Sequence, residues 1–276
     1  MKTNPTYNRN LVCTFSVMGT LLGGTAALAQ QTDSTELMKK NNQRSEYPKN
    51  NVKINLSSLA INNYSFYVER LLSRKVSFSA GYRNMPSTNL GELSIIKKIS
   101  DKINEGEELI ADINRMRVDG KAYTGEFRFY GGKKQGARGM YLALYGRYAT
   151  FNHDYNYRFT NSSNNVLSVP LKSKVKGYGG GLMIGKQWLI AKRVNLDFYW
   201  LGGHYGKLSG TTNAVADLGS LSQQDQRNLK DELDNILTVG DKTFLNSTVS
   251  NKGVTGNING PFAGLRGLGF SVGIAF

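Results

Sequence analysis

The chain has 276 residues and a formal net charge of +15, from 35 lysines and arginines against 20 aspartates and glutamates. Hydrophobic residues make up 39% of the chain, which excludes global disorder. The single cysteine, Cys13, excludes an internal disulfide and a cysteine-based metal site, and two histidines leave little room for a zinc site. With 31 glycines, 15 tyrosines and 5 prolines, the composition favours strands over helices.

The N-terminal segment 1–29 has the order of a secretory signal peptide. Lys2 and Arg9 precede an apolar stretch at 11–22, and a small-residue cleavage site follows. We therefore expect this segment to be removed, although an N-terminal membrane anchor is the alternative. Residues 30–51 are polar and are predicted to form a periplasmic tether. Beyond them no window approaches the roughly 18 consecutive apolar residues of a spanning helix.

From residue 52 onward, apolar residues recur with a period of two, which is the pattern of half-buried strands. In the first such segment Val52, Ile54 and Leu56 alternate with polar residues. In the last, large apolar residues alternate with small ones up to Phe276. Eight segments have this pattern. The predicted strands are 52–60, 63–71, 75–83, 121–131, 139–151, 172–188, 193–205 and 262–276.

The two faces of these strands indicate the environment of the sheet. One face is broad, apolar and aromatic, and the other carries charged and amide side chains interleaved with glycine. Eight antiparallel strands can close so that the apolar face meets lipid and the polar face fills the interior. We therefore predict an all-β fold over 52–276, an eight-stranded antiparallel transmembrane β-barrel. A soluble eight-stranded barrel around a small ligand is the alternative.

Connection lengths predict the orientation of this barrel. Three long connections, at 84–120, 152–171 and 206–261, alternate with short turns. Outer-membrane barrels have short periplasmic turns and longer outer loops, so we expect the long connections outside and both termini in the periplasm. Only the first outer connection, at 61–62, is short. The terminal Phe276 resembles the signal by which the barrel-assembly machinery recognises outer-membrane barrels.

The short turns are basic, and we predict that they form a periplasmic rim. Such a rim would contact the phosphate groups of outer-membrane lipid and lipopolysaccharide. The long loops 84–120 and 206–261 have a slight excess of acids, and the sequence offers no basic, aromatic-lined face, which excludes nucleic acid as a partner. The residues of the predicted basic rim are Arg70, Arg74, Lys75, Lys133, Lys134, Arg138, Lys192 and Arg193.

Charged residues on the polar face form a predicted interior network. Buried charges need partners, and eight strands leave an interior that side chains nearly fill. We therefore expect these residues to pair and to plug the barrel, with an ion path as the alternative. The predicted network consists of Glu69, Arg83, Glu126, Arg128 and Arg147.

Two motifs that could carry chemistry have simpler explanations. Residues 180–186 match the start of a phosphate-binding P-loop, but Gln187 replaces the Ser or Thr that holds magnesium, and the segment continues a strand. His153 beside Asp154, and His204, could belong to a lipid-modifying site, but no nucleophile is marked beside them. We expect a glycine-rich strand and interfacial polar residues, with no catalytic, cofactor-binding or metal-binding residue.

Both long loops 84–120 and 206–261 contain apolar residues at helical spacing. These stripes need an apolar cover, so the loops either pack on each other or present a surface for a ligand. The residues in the two stripes are Leu93, Ile96, Ile99, Ile103, Leu109, Ile113 and Met116, and Leu229, Leu233, Ile236 and Leu237.

The segments 178–190, 196–199 and 202–206, rich in glycine and aromatic residues, resemble a family of bacterial outer-membrane β-barrels described as a domain of unknown function (DUF). The resemblance covers most of 52–276 outside the long loops. It implies a barrel fold and an outer-membrane location, and it implies no activity and no binding residues. We therefore predict a non-enzymatic protein without a cofactor, in a structural or surface-interaction role. A lipid-modifying outer-membrane enzyme and a small-solute channel are the alternatives.

Overall fold

The computed structural model describes residues 47–93 and 113–276, and these residues are mostly antiparallel strand. The predicted signal peptide and nearly all of the predicted tether lie outside the described residues. No helix within the described ranges is long and apolar enough to cross a membrane.

Thirteen strands and the helix α1 follow one another along the described part of the chain. Short 3-10 turns lie at Ser57–Ile61 and Leu90–Glu92. The first seven strands are β1 (Asn50–Asn55), β2 (Tyr64–Leu71), β3 (Val76–Asn89), β4 (Met116–Tyr130), β5 (Gly139–Thr160), β6 (Val166–Ile190) and β7 (Val194–Val215). The remaining elements are α1 (Gln223–Ile236), β8 (Thr238–Val239), β9 (Lys242–Thr243), β10 (Leu245–Ser250), β11 (Gly253–Pro261), β12 (Gly264–Arg266) and β13 (Gly269–Ala275).

The pairing of the strands follows their order in the chain. Each strand from β1 to β7 pairs antiparallel with the next. The first half of β7 also pairs with β13, which pairs with β1. The second half of β7 pairs with β12 and β11. The connections after β2, β4 and β6 therefore lie at one end of the sheet, the rim end, and those after β1, β3 and β5 lie at the opposite, distal end.

The prediction of eight strands is too low. Strands β1 to β7 and β13 match the eight predicted segments, with different ends, and β8 to β12 are additional. Four of the additional strands lie in 206–261, which was predicted as a loop. The predicted strand 52–60 is also too long, because β1 ends at Asn55 and a 3-10 turn follows.

The strands at the distal end extend far into the predicted long loops. The connection between β5 and β6 is only 161–165, so the loop predicted at 152–171 is mostly strand. The loop predicted at 84–120 is shortened from both sides, by β3 and by β4. Met116, predicted in a helical stripe, starts β4. Most of that stripe lies outside the described residues.

The polar face of the sheet is buried and the apolar face is exposed. On β1, Val52 is 44% exposed, whereas the neighbouring Lys53 is 1% exposed. The same inversion holds on β2 and β4, where Glu69 and Glu126 are buried and Phe127 is exposed. A sheet in water usually buries its apolar face, so this arrangement is the reverse of the usual one. We call the buried face inward and the exposed face outward.

The outward face of β5 changes character along the strand. From Met140 to Tyr148 its outward residues are Met, Leu, Gly and Tyr, and from Thr150 to Thr160 they are polar or charged. The inward face changes in the opposite sense and ends at the buried Phe159. The apolar outward band therefore ends near Tyr148, and both the polar outward face and the apolar inward face of the distal part have the arrangement of a sheet in water.

A hydrophobic core of ordinary type fills the distal end. Leu229 and Leu233 of α1 are fully buried against inward residues of β5 and β6, among them Phe159 and Val169. Leu229 and Leu233 of the helical stripe in 206–261 are thus covered by the chain itself, whereas Ile236 and Leu237 of the same stripe are exposed. At the start of α1, the Ser222 hydroxyl accepts a hydrogen bond from the backbone N–H of Asp225, which caps the helix.

Candidate functional site

A network of buried charges occupies the inward face near the rim end, and Lys53 is one of its centres. The Lys53 ammonium donates to Glu69 at 2.9 Å and to Asp197 at 2.6 Å. It also donates to the side-chain oxygen of Gln187 at 3.2 Å. The Glu69 carboxylate accepts further hydrogen bonds from the hydroxyls of Ser77 and Tyr130. The Lys53 ammonium is therefore held by acceptors from three strands, β2, β6 and β7.

Glu126 is the second centre, and it links two arginines. One of its oxygens accepts from Arg128 Nε at 2.8 Å, and the other accepts from Arg266 Nη1 at 3.0 Å. Arg128 also donates to Asp197 at 2.6 Å, so the two centres form one network. Arg266 donates from its other nitrogen to the hydroxyl of Tyr67 at 3.1 Å. The Glu126 carboxylate is fully buried.

The charges of this network balance. Three cations, Lys53, Arg128 and Arg266, face three carboxylates, those of Glu69, Glu126 and Asp197. Removing a charge from water is costly, and mutual attraction offsets that cost only when geometry and hydrogen bonding are complete. The distances show that each charge has at least one partner of opposite sign.

Three inward tyrosines at this network lie against a glycine of the neighbouring strand. Tyr141 faces Gly185 in the register of β5 and β6, and a Cβ on that glycine would lie 2.5 Å from the Tyr141 hydroxyl oxygen. The Tyr141 hydroxyl donates to Asp197 at 2.8 Å. The same Tyr–Gly pairing joins Tyr67 to Gly81 and Tyr199 to Gly269.

The structure brings three of the five predicted network residues together, Glu69, Glu126 and Arg128. The other two, Arg83 and Arg147, lie on the same face nearer the distal end and form no ion pair within the described residues. Four residues that join the network were not in the predicted set: Lys53, Gln187, Asp197 and Arg266. For Lys53 and Asp197 the signal was present, because both lie on the polar face of period-two segments.

The predicted rim residues lie in or beside the connections at the rim end. Lys75 donates to the backbone oxygens of Gly132 and Lys134, which ties the β2–β3 and β4–β5 connections together. Arg138 donates to the backbone oxygen of Gln135 at 2.7 Å. Six of the eight have exposed side chains with no ion pair among the described residues: Arg70, Arg74, Lys133, Lys134, Lys192 and Arg193.

The two histidines lie on different strands and have no carboxylate partner among the described residues. His153 and Asp154 are consecutive in β5 and therefore point to opposite faces, so Asp154 cannot orient the His153 ring. The Nδ1 atom of His204 lies 3.2 Å from the Tyr145 hydroxyl oxygen. Residues 180–186 lie inside β6, paired on both sides, which is incompatible with a P-loop.

Comparison with known proteins adds no relative. No protein-family model matches the chain, and neither a curated protein nor a solved structure matches it. The fold and the site define a largely antiparallel β protein with a buried, charge-balanced polar face. The resemblance to the DUF outer-membrane barrels stays a prediction.

Proposed function

We propose that the chain is a non-enzymatic β-barrel of the bacterial outer membrane, with a structural or surface-interaction role. The observation that carries this proposal is the inversion of the sheet, whose apolar face is exposed and whose charged face is buried. A bilayer supplies the apolar surrounding that such a sheet needs. It also requires every backbone polar group to be paired, which a closed ring of strands provides.

The pairing supports an eight-stranded ring formed by β1 to β7 and β13. Every one of these strands has two antiparallel neighbours within the set, because β13 pairs with both β7 and β1. In this arrangement the charge network lies in the lumen. The lumen is then filled by paired side chains, which favours a structural role over a small-solute channel.

The height of the apolar band fits a membrane. It spans residues 140–148 on β5 and 178–190 on β6, where the outward Lys186 interrupts it and lies over the ring of Trp188. At roughly 3.3 Å per residue these are about 27 and 40 Å along the strands. With a tilt of about 40° the corresponding heights are roughly 20 and 30 Å, on either side of the about 25 Å typical of outer-membrane barrels.

Two rows of residues mark the distal edge of the band. Tyr82, Tyr123, Tyr148 and Tyr178 are cross-strand neighbours on β3 to β6. Two residues nearer the distal end on each strand, the corresponding row is Asn84, Lys121, Thr150 and Lys176. A tyrosine girdle followed by lysines is suited to a membrane surface where acyl chains give way to phosphates, so lipid and lipopolysaccharide are the proposed contacts.

The proposed orientation places the basic rim and both chain ends in the periplasm, where the barrel-assembly machinery would meet Phe276. The distal end, with α1 and the β10–β11 hairpin, then lies on the outer surface of the cell. Exposed side chains there, including Ile236, Leu237 and Val239, belong to a possible surface for a ligand. The described parts of 84–120, at the end of β3 and the start of β4, share this end.

Depth-dependent quenching tests the membrane placement. In a background with Trp188 and Trp200 replaced by Phe, a single tryptophan is introduced at Leu144 or at Asn156, both outward residues of β5. We expect brominated acyl chains to quench Leu144→Trp and aqueous iodide to quench Asn156→Trp. Iodide quenching of both variants, with no effect of brominated lipid, would show that the sheet is not inserted.

A lipid-modifying enzyme remains the second candidate because His153 and His204 lie toward the distal end. We expect the double variant His153→Gln/His204→Gln to leave the lipid A profile of the cells unchanged, since no carboxylate orients either ring in the described structure. A changed lipid A profile at normal protein levels would favour the enzyme.

A further inference from the structure

Arg83 and Arg147 differ from every cation of the charge-balanced network. Both lie on the inward face, and the Nε atom of each is buried without a hydrogen-bond acceptor. The described structure gives neither of them an ion pair. The guanidinium of Arg83 also lies near the ring of Phe151, whose centroid is 6.0 Å from the guanidinium carbon. The inward face therefore carries two positive charges with no counter-charge from the residues that the structure describes.

The carboxylates nearest in the fold cannot supply that counter-charge. Glu126 already binds Arg128 and Arg266, and the other two inward carboxylates belong to the network around Lys53. Both arginines are half-buried, and a charge that is partly removed from water without a partner is unfavourable. An external ion of opposite sign that binds there would offset that cost.

Both arginines line one cavity of about 250 Å³. They enter it from opposite sides of β4, where the cross-strand neighbours of Arg83 and Arg147 are the small residues Ala122 and Thr124. The wall also offers groups that can donate hydrogen bonds. These are Ser57, Ser58, Asn63, Ser65, Tyr67 and Tyr199.

We propose that this cavity is a binding site for a small oxyanion, with Arg83 and Arg147 as its charged ligands. A planar guanidinium presents paired N–H donors that match the oxygens of a phosphate, sulfate or carboxylate group. Two uncompensated charges favour a dianion over a monoanion. The hydroxyls and the Asn63 amide complete the coordination of oxygens that the arginines leave free. The cavity is too small for most drug-sized ligands, which occupy roughly 300–1,000 Å³.

The test titrates inorganic phosphate into the purified, folded protein in detergent at constant ionic strength, with heat measured by calorimetry. We expect saturable binding of phosphate by the wild type. Such heat could come from recognition of an oxyanion or from general charge neutralisation, and a titration with chloride in place of phosphate distinguishes the two. Recognition of an oxyanion predicts no saturable chloride binding, and equal binding of both ions would reduce the site to general charge neutralisation and overturn the proposal.

Two variants connect the binding to the cavity. We expect Arg83→Gln and Arg147→Gln each to weaken phosphate binding about tenfold or more, because each removes charge-assisted hydrogen bonds. The matched control is Arg193→Gln at the exposed rim, which should bind like wild type. Wild-type affinity in both cavity variants, or no saturable binding by the wild type, would refute the site.

A stability measurement without phosphate guards against variants that fold poorly. Removing an unpaired buried charge should leave Arg83→Gln at least as stable as wild type in phosphate-free buffer, and added phosphate should raise the melting temperature of wild type only. A large loss of stability in phosphate-free buffer would mean that Arg83 has a partner within the chain, which contradicts the proposal. Membrane insertion is judged separately by the Leu144→Trp experiment, so failure here leaves that result intact.

Discussion

Glu126→Gln probes the network at the residue that joins two of its three cations. The substitution keeps the size and shape of the side chain and removes one negative charge. In the wild type Glu126 accepts hydrogen bonds from Arg128 and, on its other oxygen, from Arg266 at 3.0 Å. In the variant, one of those oxygens becomes an NH₂ group that faces a guanidinium donor.

The consequences for the two arginines are unequal. Arg128 keeps Asp197 at 2.6 Å as a partner, whereas Glu126 is the only ion-pair partner that the described structure gives Arg266. A charged hydrogen bond contributes about 1.5–3 kcal/mol, and breaking a buried ion pair costs about 3–5 kcal/mol. Since Arg266 retains Tyr67 as an acceptor, we expect a loss in unfolding free energy at the lower end, about 3 kcal/mol.

The measurement is the loss of the fast-migrating folded band in a gel-shift melting series, calibrated by urea titration. Asp241→Asn, at an exposed position, is the matched control and should melt like wild type. The double variant Glu126→Gln/Arg266→Gln should lose less than the sum of the single losses, because no guanidinium is left without its carboxylate. If Glu126→Gln melts with the control, or the double variant loses the full sum, the charges are not coupled as described.

Two further predictions concern packing and the distal end. Gly185→Ala should lower the melting temperature because the added methyl group collides with the Tyr141 ring. The control Gly146→Ala, which has open space around its Cβ position, should not lower it. Equal melting temperatures of the two variants would contradict the close contact between Gly185 and Tyr141. Hydrogen bonds from the hydroxyl of Ser222 and the backbone N–H of Ser162 lower the pKa of Asp225 in the folded protein. The stability that these hydrogen bonds contribute is therefore present above the pKa of an unfolded aspartate, and it is lost as the pH falls through the lower pKa of the folded state. Amide exchange at Ser162 should therefore accelerate on acidification in the wild type. In Asp225→Asn it should be fast and independent of pH, after correction for intrinsic exchange. An identical pH profile in both proteins would show that the Asp225 carboxylate does not hold Ser162.

The period-two pattern predicted the position of every strand at the rim end because one face there is apolar and the other polar. The same period continues on β5 to Phe159, with aromatic residues inward and polar residues outward, so the length of that strand was also present in the sequence. The predicted strand 139–151 stops near the point where the outward residues become polar. That change in the outward face does not end the strand, which continues to Thr160.

The candidate site was predictable only in part. Residues on the polar face could be assigned from alternation, as for Glu69 and Glu126. Which charges pair could not, because Lys53 and Asp197 lie 144 positions apart and meet only through the pairing of distant strands. Arg266 was missed for a different reason. The predicted strand 262–276 places Arg266 in phase with the apolar Leu268 and Phe270, whereas the structure divides that segment into β12 and β13, and Arg266 is buried at the end of β12.

The tyrosine–glycine pairs constrain the order in which this sequence can change. At Gly81 a side chain is blocked while Tyr67 is present, since the nearest atoms to its Cβ position all belong to the Tyr67 ring. If Tyr67 is first replaced by a smaller residue, that space opens and the glycine becomes replaceable. The reverse order passes through a sterically overlapped intermediate. Divergence at this pair therefore has a fixed order, in which the tyrosine has to be replaced before the glycine that faces it.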